Sequence, residues 1–117
     1  MLTNNQIQTF NRNGYVVIKD FVNRHQRKLL MHRAEQLIDE FQPPKKLSVF
    51  STDEQERTSD DYFLNSGDQM RFFFEEDAID ENGNFTVPKQ KSINKIGHAQ
   101  HILDPVYKKI INELNFP

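Results

Sequence analysis

The run Arg71-Phe72-Phe73-Phe74, set between Met70 and the acidic Glu75-Glu76-Asp77, constrains the fold more than any other stretch of this chain. Its aromatic density and lack of a helical period read as a strand from Met70 to Glu75. Strand alternation puts Phe72 and Phe74 on one face and Arg71 and Phe73 on the other, so burial on both sides is the economical explanation. A nucleic-acid reading, with bases stacked on the rings beside Arg71, is opposed by the carboxylates that follow, which would repel phosphate.

Little apolar material is available to cover such a strand. Hydrophobic residues make up 36% of the 117 residues, below the roughly 45–50% usual in soluble domains, and mean hydropathy is -0.77. The length allows a single domain or a piece of one. A net charge of -2, from 15 basic and 17 acidic residues, supplies no positive field to gather nucleic acid or anionic lipid. The absence of cysteine removes disulfides, thiolate nucleophiles and thiolate metal sites together. Neither a signal peptide, nor a peroxisomal C-terminal tag, nor an apolar run long enough for a membrane span is legible, so an intracellular, cytoplasmic location is expected.

Helix signals are stronger than strand signals. Thr3 with Gln6 forms a capping box, Ile7 and Phe10 give a short apolar face, and Gly14 sits where that helix would stop. Asn23 with Gln26 repeats the pattern, and Leu30, Ala34, Leu37, Ile38 and Phe41 recur on one helical face until Pro43-Pro44. Between these helices, Tyr15-Val16-Val17-Ile18 reads as a buried strand. Residues 45–59 read as a polar, exposed loop. The turn signal Asp80-Glu81-Asn82-Gly83 predicts a hairpin in which Phe85-Thr86-Val87 pairs with the strand at 70–75. Ser92 reads as the cap of a helix running through Lys95 to about His101, and Asp104-Pro105 as the cap and first turn of another carrying Ile110, Ile111 and Leu114. These strands are too few to close a barrel or sandwich alone.

Few side chains offer chemistry. His98 and His101 would be neighbours on a helix, but HxxH is weak as a metal pattern, and histidines that bond backbone or face solvent explain it better. Asp104, offered as a third ligand, is already accounted for as a cap. A facial iron triad needs His-x-Asp or His-x-Glu, and none of His25, His32, His98 and His101 has a carboxylate at the second following position. Lys95 differs: in the first turn of a helix it would oppose the dipole, so it is either solvated at the surface or paired with an anion such as a carboxylate ligand. No Ser-His-Asp set, glycine-rich phosphate loop or GxSxG elbow is present.

Four segments, Asp61-Tyr-Phe-Leu-Asn-Ser-Gly-Asp68, Arg71-Phe-Phe-Phe-Glu75, Asp80-Glu-Asn-Gly-Asn-Phe85 and Lys91-Ser-Ile-Asn-Lys-Ile-Gly-His-Ala99, together resemble the N-terminal part of the phytanoyl-CoA dioxygenase family. The resemblance spans nearly the whole chain and is most specific from Asp61 to Pro105. It implies an α+β fold: the N-terminal helical layer and first strands of a double-stranded β-helix, or cupin-like jelly roll, with residues 1–117 as the incomplete N-terminal portion of one such domain. It also implies a parent enzyme that uses Fe(II) and 2-oxoglutarate to hydroxylate a small-molecule or acyl-CoA-type substrate. Lys95 maps onto the lysine that binds 2-oxoglutarate, whereas the family's iron ligands and its arginine for the far carboxylate of 2-oxoglutarate lie downstream of Pro117. The expectation is therefore a chain that is inactive alone and binds neither cofactor tightly, with no nucleic acid or membrane as partner. An exposed apolar surface would favour self-association. The alternative is a non-catalytic short form acting as a protein-binding or regulatory module.

Overall fold

The structure is a computed structural model and describes residues 2–43 and 61–114; the loop expected at 45–59 lies outside the described residues. Two capped helices open it. In α1 (Asn4–Asn13), Thr3 Oγ1 accepts from the Gln6 amide while Gln6 Oε1 accepts from the Thr3 amide. Gly14 closes α1 in the left-handed region at φ 78°, its N–H donating to the Phe10 carbonyl at 2.7 Å, a conformation that needs no Cβ.

The second helix, α2 (Arg24–Glu40), carries the same reciprocal box between Asn23 and Gln26 and ends as Phe41 turns extended, before Pro43. Its periodic face does point inward. Leu37 is buried and Leu30, Ala34, Ile38 and Phe41 are half-buried, whereas Leu29 and Met31 just off that face are exposed.

A short helix, α3 (Asp61–Leu64), leads into β1 (Arg71–Phe74). Burial on both faces holds: Phe72, Phe73 and Phe74 are all buried. The Phe41 ring at the end of α2 stacks on Phe72 with centroids 4.1 Å apart and leans on Phe74 at 6.2 Å. On the opposite face Tyr62 and Phe63 of α3 meet Phe73 edge-on at 5.5 and 5.7 Å. Arg71, which shares the Phe73 face, places its guanidinium 4.6 Å from the Tyr62 ring centroid and donates to the Tyr62 carbonyl. The Tyr62 hydroxyl accepts from the Phe72 amide, so α3 satisfies part of the outer edge of β1.

The partner of β1 is not the one expected. β1 pairs antiparallel with β2 (Ile93–Gly97) in a two-stranded sheet, with Arg71 opposite Gly97, Phe72 opposite Ile96, Phe73 opposite Lys95 and Phe74 opposite Ile93. Register explains the failure of the hairpin. The turn forms as expected, with Asp80 Oδ1 accepting from the Asn82 and Asn84 amides and Gly83 at φ 82°. That turn sets Phe85 opposite Ile79, a single bridge, and Thr86 back onto Asp77 and Ala78. Phe85 to Val87 therefore ends without pairing to the backbone of β1, although the Phe85 ring meets that of Phe74 at 5.6 Å, and a 3-10 turn (Glu76–Ala78) intervenes.

Two further expectations are corrected. The helix from Ser92 through Lys95 to His101 is replaced by β2 and, after it, the single-turn α4 (Gln100–Leu103). Ser92 is buried and its hydroxyl donates to the Lys89 carbonyl, closing the 3-10 turn Lys89–Lys91 instead of capping a helix. Tyr15 to Ile18 forms no strand, and Tyr15 and Val17 are 64% and 73% exposed. A strand requires a ladder partner, and among the described residues β1 and β2 form the only ladder longer than a single bridge.

The last helix, α5 (Pro105–Glu113), begins as expected: Pro105 is its first residue and Asp104 Oδ1 accepts from the Val106 and Tyr107 amides. Asp104 is also 2.7 Å from the guanidinium Nε of Arg33 on α2. At the far end of α2, Lys89 and Gln90 donate to the carbonyl and carboxylate of Asp39, which ties the entry of β2 to the helix.

Candidate functional site

The resemblance directs attention to Lys95, and the structure puts it in the middle of β2, not at a helix start. In mid-strand it opposes no helix dipole, which corrects that expectation. Its neighbours are set by the sheet. Opposite it in the ladder is Phe73, and its ammonium lies 5.8 Å from the centroid of that ring and 5.5 Å from the centroid of Phe63 on α3. Both contacts are of the cation–π kind. Lys95 is half-buried, so it is a lysine laid along protein surface and not one extended freely into water.

Gly97 follows on the same face and is buried. A Cβ at that position would lie 2.8 Å from Lys95 Cε and 3.7 Å from its Cδ, so the lysine stem runs directly over the glycine. A lone glycine inside a strand often marks such a close approach.

His98, one residue on, closes the group from below. Its ring meets Phe63 and Phe73 edge-on at 6.1 and 6.4 Å. The buried Ser66 hydroxyl donates to the Phe63 carbonyl at 2.6 Å, and therefore accepts from His98 Nδ1–H at 2.9 Å, with the Ser66 carbonyl 3.2 Å from the same nitrogen. This network assigns the Nδ1–H tautomer to the neutral ring. His98 thus bonds backbone and a hydroxyl, in line with a packing role. His101 sits on α4, exposed. The two histidines do not share a helix, and the geometry assumed for HxxH is absent.

Among the described residues, no three of His, Asp and Glu come together as a group able to hold a metal ion. The described residues do not fit an iron site. They do offer a fit to a carboxylate, through Lys95 as a charged donor.

A short, largely buried ion pair lies away from Lys95, between α2 and α5. Burial pushes the Asp104 carboxyl up, but the Arg33 hydrogen bond, the Tyr107 and Val106 amides and the Arg33 charge outweigh it and hold the group below its ordinary value. Arg33 is raised in turn, chiefly by the same hydrogen bond. The Tyr107 hydroxyl is pushed up by burial and by the Asp104 charge. These groups join helices; they do not face the lysine's rings.

Phe63 and Ser66 carry no local sequence mark of a site, whereas Gly97 does. A helical reading of the segment hides the strand alternation that gives a glycine two positions after a lysine its meaning.

Two comparisons bear on what this arrangement is. The family model described as phytanoyl-CoA dioxygenase (PhyH) matches residues 10–117. The chain belongs to the phytanoyl-CoA dioxygenase family, which implies a cupin-like fold. Among its curated relatives, it is 41% identical over 108 residues to the phytanoyl-CoA dioxygenase domain-containing protein 1 homolog of Dictyostelium discoideum, covering 92% of this chain and 38% of that protein. It is 41% identical over 112 residues to phytanoyl-CoA dioxygenase domain-containing protein 1 of Bos taurus, with 92% and 38% covered. It is 43% identical over 107 residues to a phytanoyl-CoA dioxygenase of Arabidopsis thaliana, again with 92% and 38% covered. The chain thus spans well under half the length of these relatives. No helix among the described residues is long and apolar enough to cross a membrane.

Proposed function

We propose that this chain is the N-terminal part, residues 1–117, of an Fe(II)- and 2-oxoglutarate-dependent dioxygenase domain that hydroxylates a small-molecule or acyl-CoA-type substrate. Its contribution to the chemistry is a single cation, Lys95, that binds a carboxylate of 2-oxoglutarate. The observation that carries this reading is the placement of the Lys95 ammonium over Phe63 and Phe73, half-buried at the centre of a strand, in a chain of this family. A lysine so placed is available as a charge-assisted donor to an anion that enters from the same side.

In this reading the helices and the two-stranded sheet are the outer layer and first strands of a double-stranded β-helix, and the iron chemistry belongs to residues outside this sequence. Fe(II) supplies oxygen activation when bound; the present residues only bind and orient the keto acid. Isothermal titration of the 117-residue chain with Mn(II) and 2-oxoglutarate tests the division of labour. No tight binding is expected, and micromolar binding would overturn it.

A second reading is favoured by one specific observation: Phe10, Tyr15 and Val17 are 50%, 64% and 73% exposed. Apolar groups this open suit a non-catalytic short form that docks on another protein or on itself. Light scattering with limited proteolysis across a concentration series discriminates the two, since a protease-resistant monomer or discrete dimer supports an independent module, and protease-sensitive, open-ended oligomers support a part of a larger domain.

A further inference from the structure

Lys95 has a long, flexible stem, and a single staggered arrangement of it must be selected for the ammonium to meet a ligand reproducibly. Two features of the structure make that selection. Gly97 removes the Cβ that would otherwise stand 2.8 Å from Lys95 Cε, so the stem is free to lie along the strand toward its C-terminal end. At the end of that track the Phe63 and Phe73 rings receive the ammonium at 5.5 and 5.8 Å. The rings are themselves fixed: His98 packs edge-on against both, and Ser66 holds His98 by its Nδ1.

We propose that Gly97 and Phe63 are positioning residues for Lys95, the first by leaving an open track for its stem and the second by anchoring its ammonium. The functional meaning of that positioning rests on the reading of Lys95 as the carboxylate-binding group. Any side chain at position 97 drives the stem off the track and points the ammonium elsewhere. Loss of the Phe63 ring leaves the stem in place but removes one of its electrostatic anchors. The interfering atoms at Gly97 belong to a flexible side chain, and no positive φ is required there, so alanine at 97 redirects the lysine without unfolding the sheet.

The experiment uses this chain with lysines labelled at Cε with carbon-13, the Lys95 signal being assigned by its loss in Lys95→Arg. In the parent chain the Lys95 ε-methylene protons are expected to be inequivalent and displaced upfield, by the two ring currents, from the signal of the exposed Lys108. In Gly97→Ala that displacement should be lost, and in Phe63→Leu it should be reduced. A parent signal coincident with Lys108, or a displacement that survives Gly97→Ala, overturns the proposal; Phe63→Leu decides the matter independently if the alanine variant fails to fold. Titration with 2-oxoglutarate separates the positioning from its purpose. A Lys95 signal that responds to the keto acid, and needs about tenfold more of it in Gly97→Ala, the order expected for loss of one charge-assisted hydrogen bond, supports both. A signal that stays ring-shifted but ignores millimolar 2-oxoglutarate both in this chain and in a protein extended to the length of the relatives removes the carboxylate reading and leaves the positioning intact.

Discussion

The Arg33 guanidinium meets the Asp104 carboxylate at 2.7 Å, joining the middle of α2 to the first turn of α5 across 71 positions of sequence. Asp104 is 1% exposed and Arg33 20%, so the pair is largely withdrawn from water. One carboxylate serves both tasks, Oδ1 capping the helix and Oδ2 taking the arginine. Removing it should therefore damage two elements at once. Asp104→Ala is expected to lower stability by about 3 kcal/mol, at the low end for a broken buried pair because Arg33 keeps some contact with water. Asp104→Asn, which keeps the cap and loses the charge, should lose about 1.5–2 kcal/mol. Urea denaturation followed by circular dichroism checks both, and equal losses in the two variants would contradict the dual role.

The same carboxylate sets a pH dependence. Its folded value lies below the ordinary one, so the folded chain stays ionised where the unfolded chain, at about 3.9, begins to take up a proton. Stability from this group is fully present above that value and is lost as pH falls through the lower folded value. Asp80 is also held low, by Asn84 first and Asn82 after it, and titrates in the same window. The difference between the parent and Asp104→Asn curves below about pH 4 isolates Asp104; parallel curves would show that Arg33 contributes nothing through charge.

Phe73 is 1% exposed and touches Tyr62, Phe63 and His98. Phe73→Ala is expected to cost about 3–5 kcal/mol, enough to unfold a chain with so small a core. Dispersion of the amide spectrum reads the outcome, and a well-dispersed variant would mean that the Phe73 face is not part of the stabilising core.

Lys95→Met removes the charge and retains most of the stem. In a protein extended to the length of the relatives, the KM for 2-oxoglutarate should rise at least tenfold, the order of one lost charge-assisted hydrogen bond. Steady-state oxygen or keto acid consumption measures it. An unchanged KM would detach Lys95 from the co-substrate.

What the sequence makes legible here is local. The boxes Thr3–Gln6 and Asn23–Gln26 and the Asp104-Pro105 start are each written within four residues, and each forms as read. The two-sided burial of Phe72 to Phe74 is likewise contained in one strand's alternation. Pairing is not contained in this way. β1 reaches past the Asp80 turn to β2, and only the register of that turn, which exhausts Phe85 to Val87 against Ile79 and Ala78, reveals that a later segment must take the place. The candidate site shares the difficulty. Lys95 stands out through the resemblance of its segment, but Phe63 and Ser66 lie 32 positions from Lys95 and His98, and nothing local marks them as its surroundings.

The register of the sheet slips between Phe73 and Phe74, because Asn94 has no partner in the ladder and Ile93 and Lys95 take successive places against β1. In an unbroken strand those two residues would look the same way. The extra residue shifts the phase of β2 by half a period, so that Ile93 joins the Phe74 side, against α2, and Lys95 joins the Phe73 side. A greasy residue and a charged one, two apart, are thereby sent to opposite compartments. Deleting Asn94 would restore a regular alternation and force a choice between them, either drawing Lys95 under Phe41 or turning Ile93 out toward the rings. The strand's one irregularity is what lets an apolar side chain and a charged one serve opposite faces within five consecutive residues.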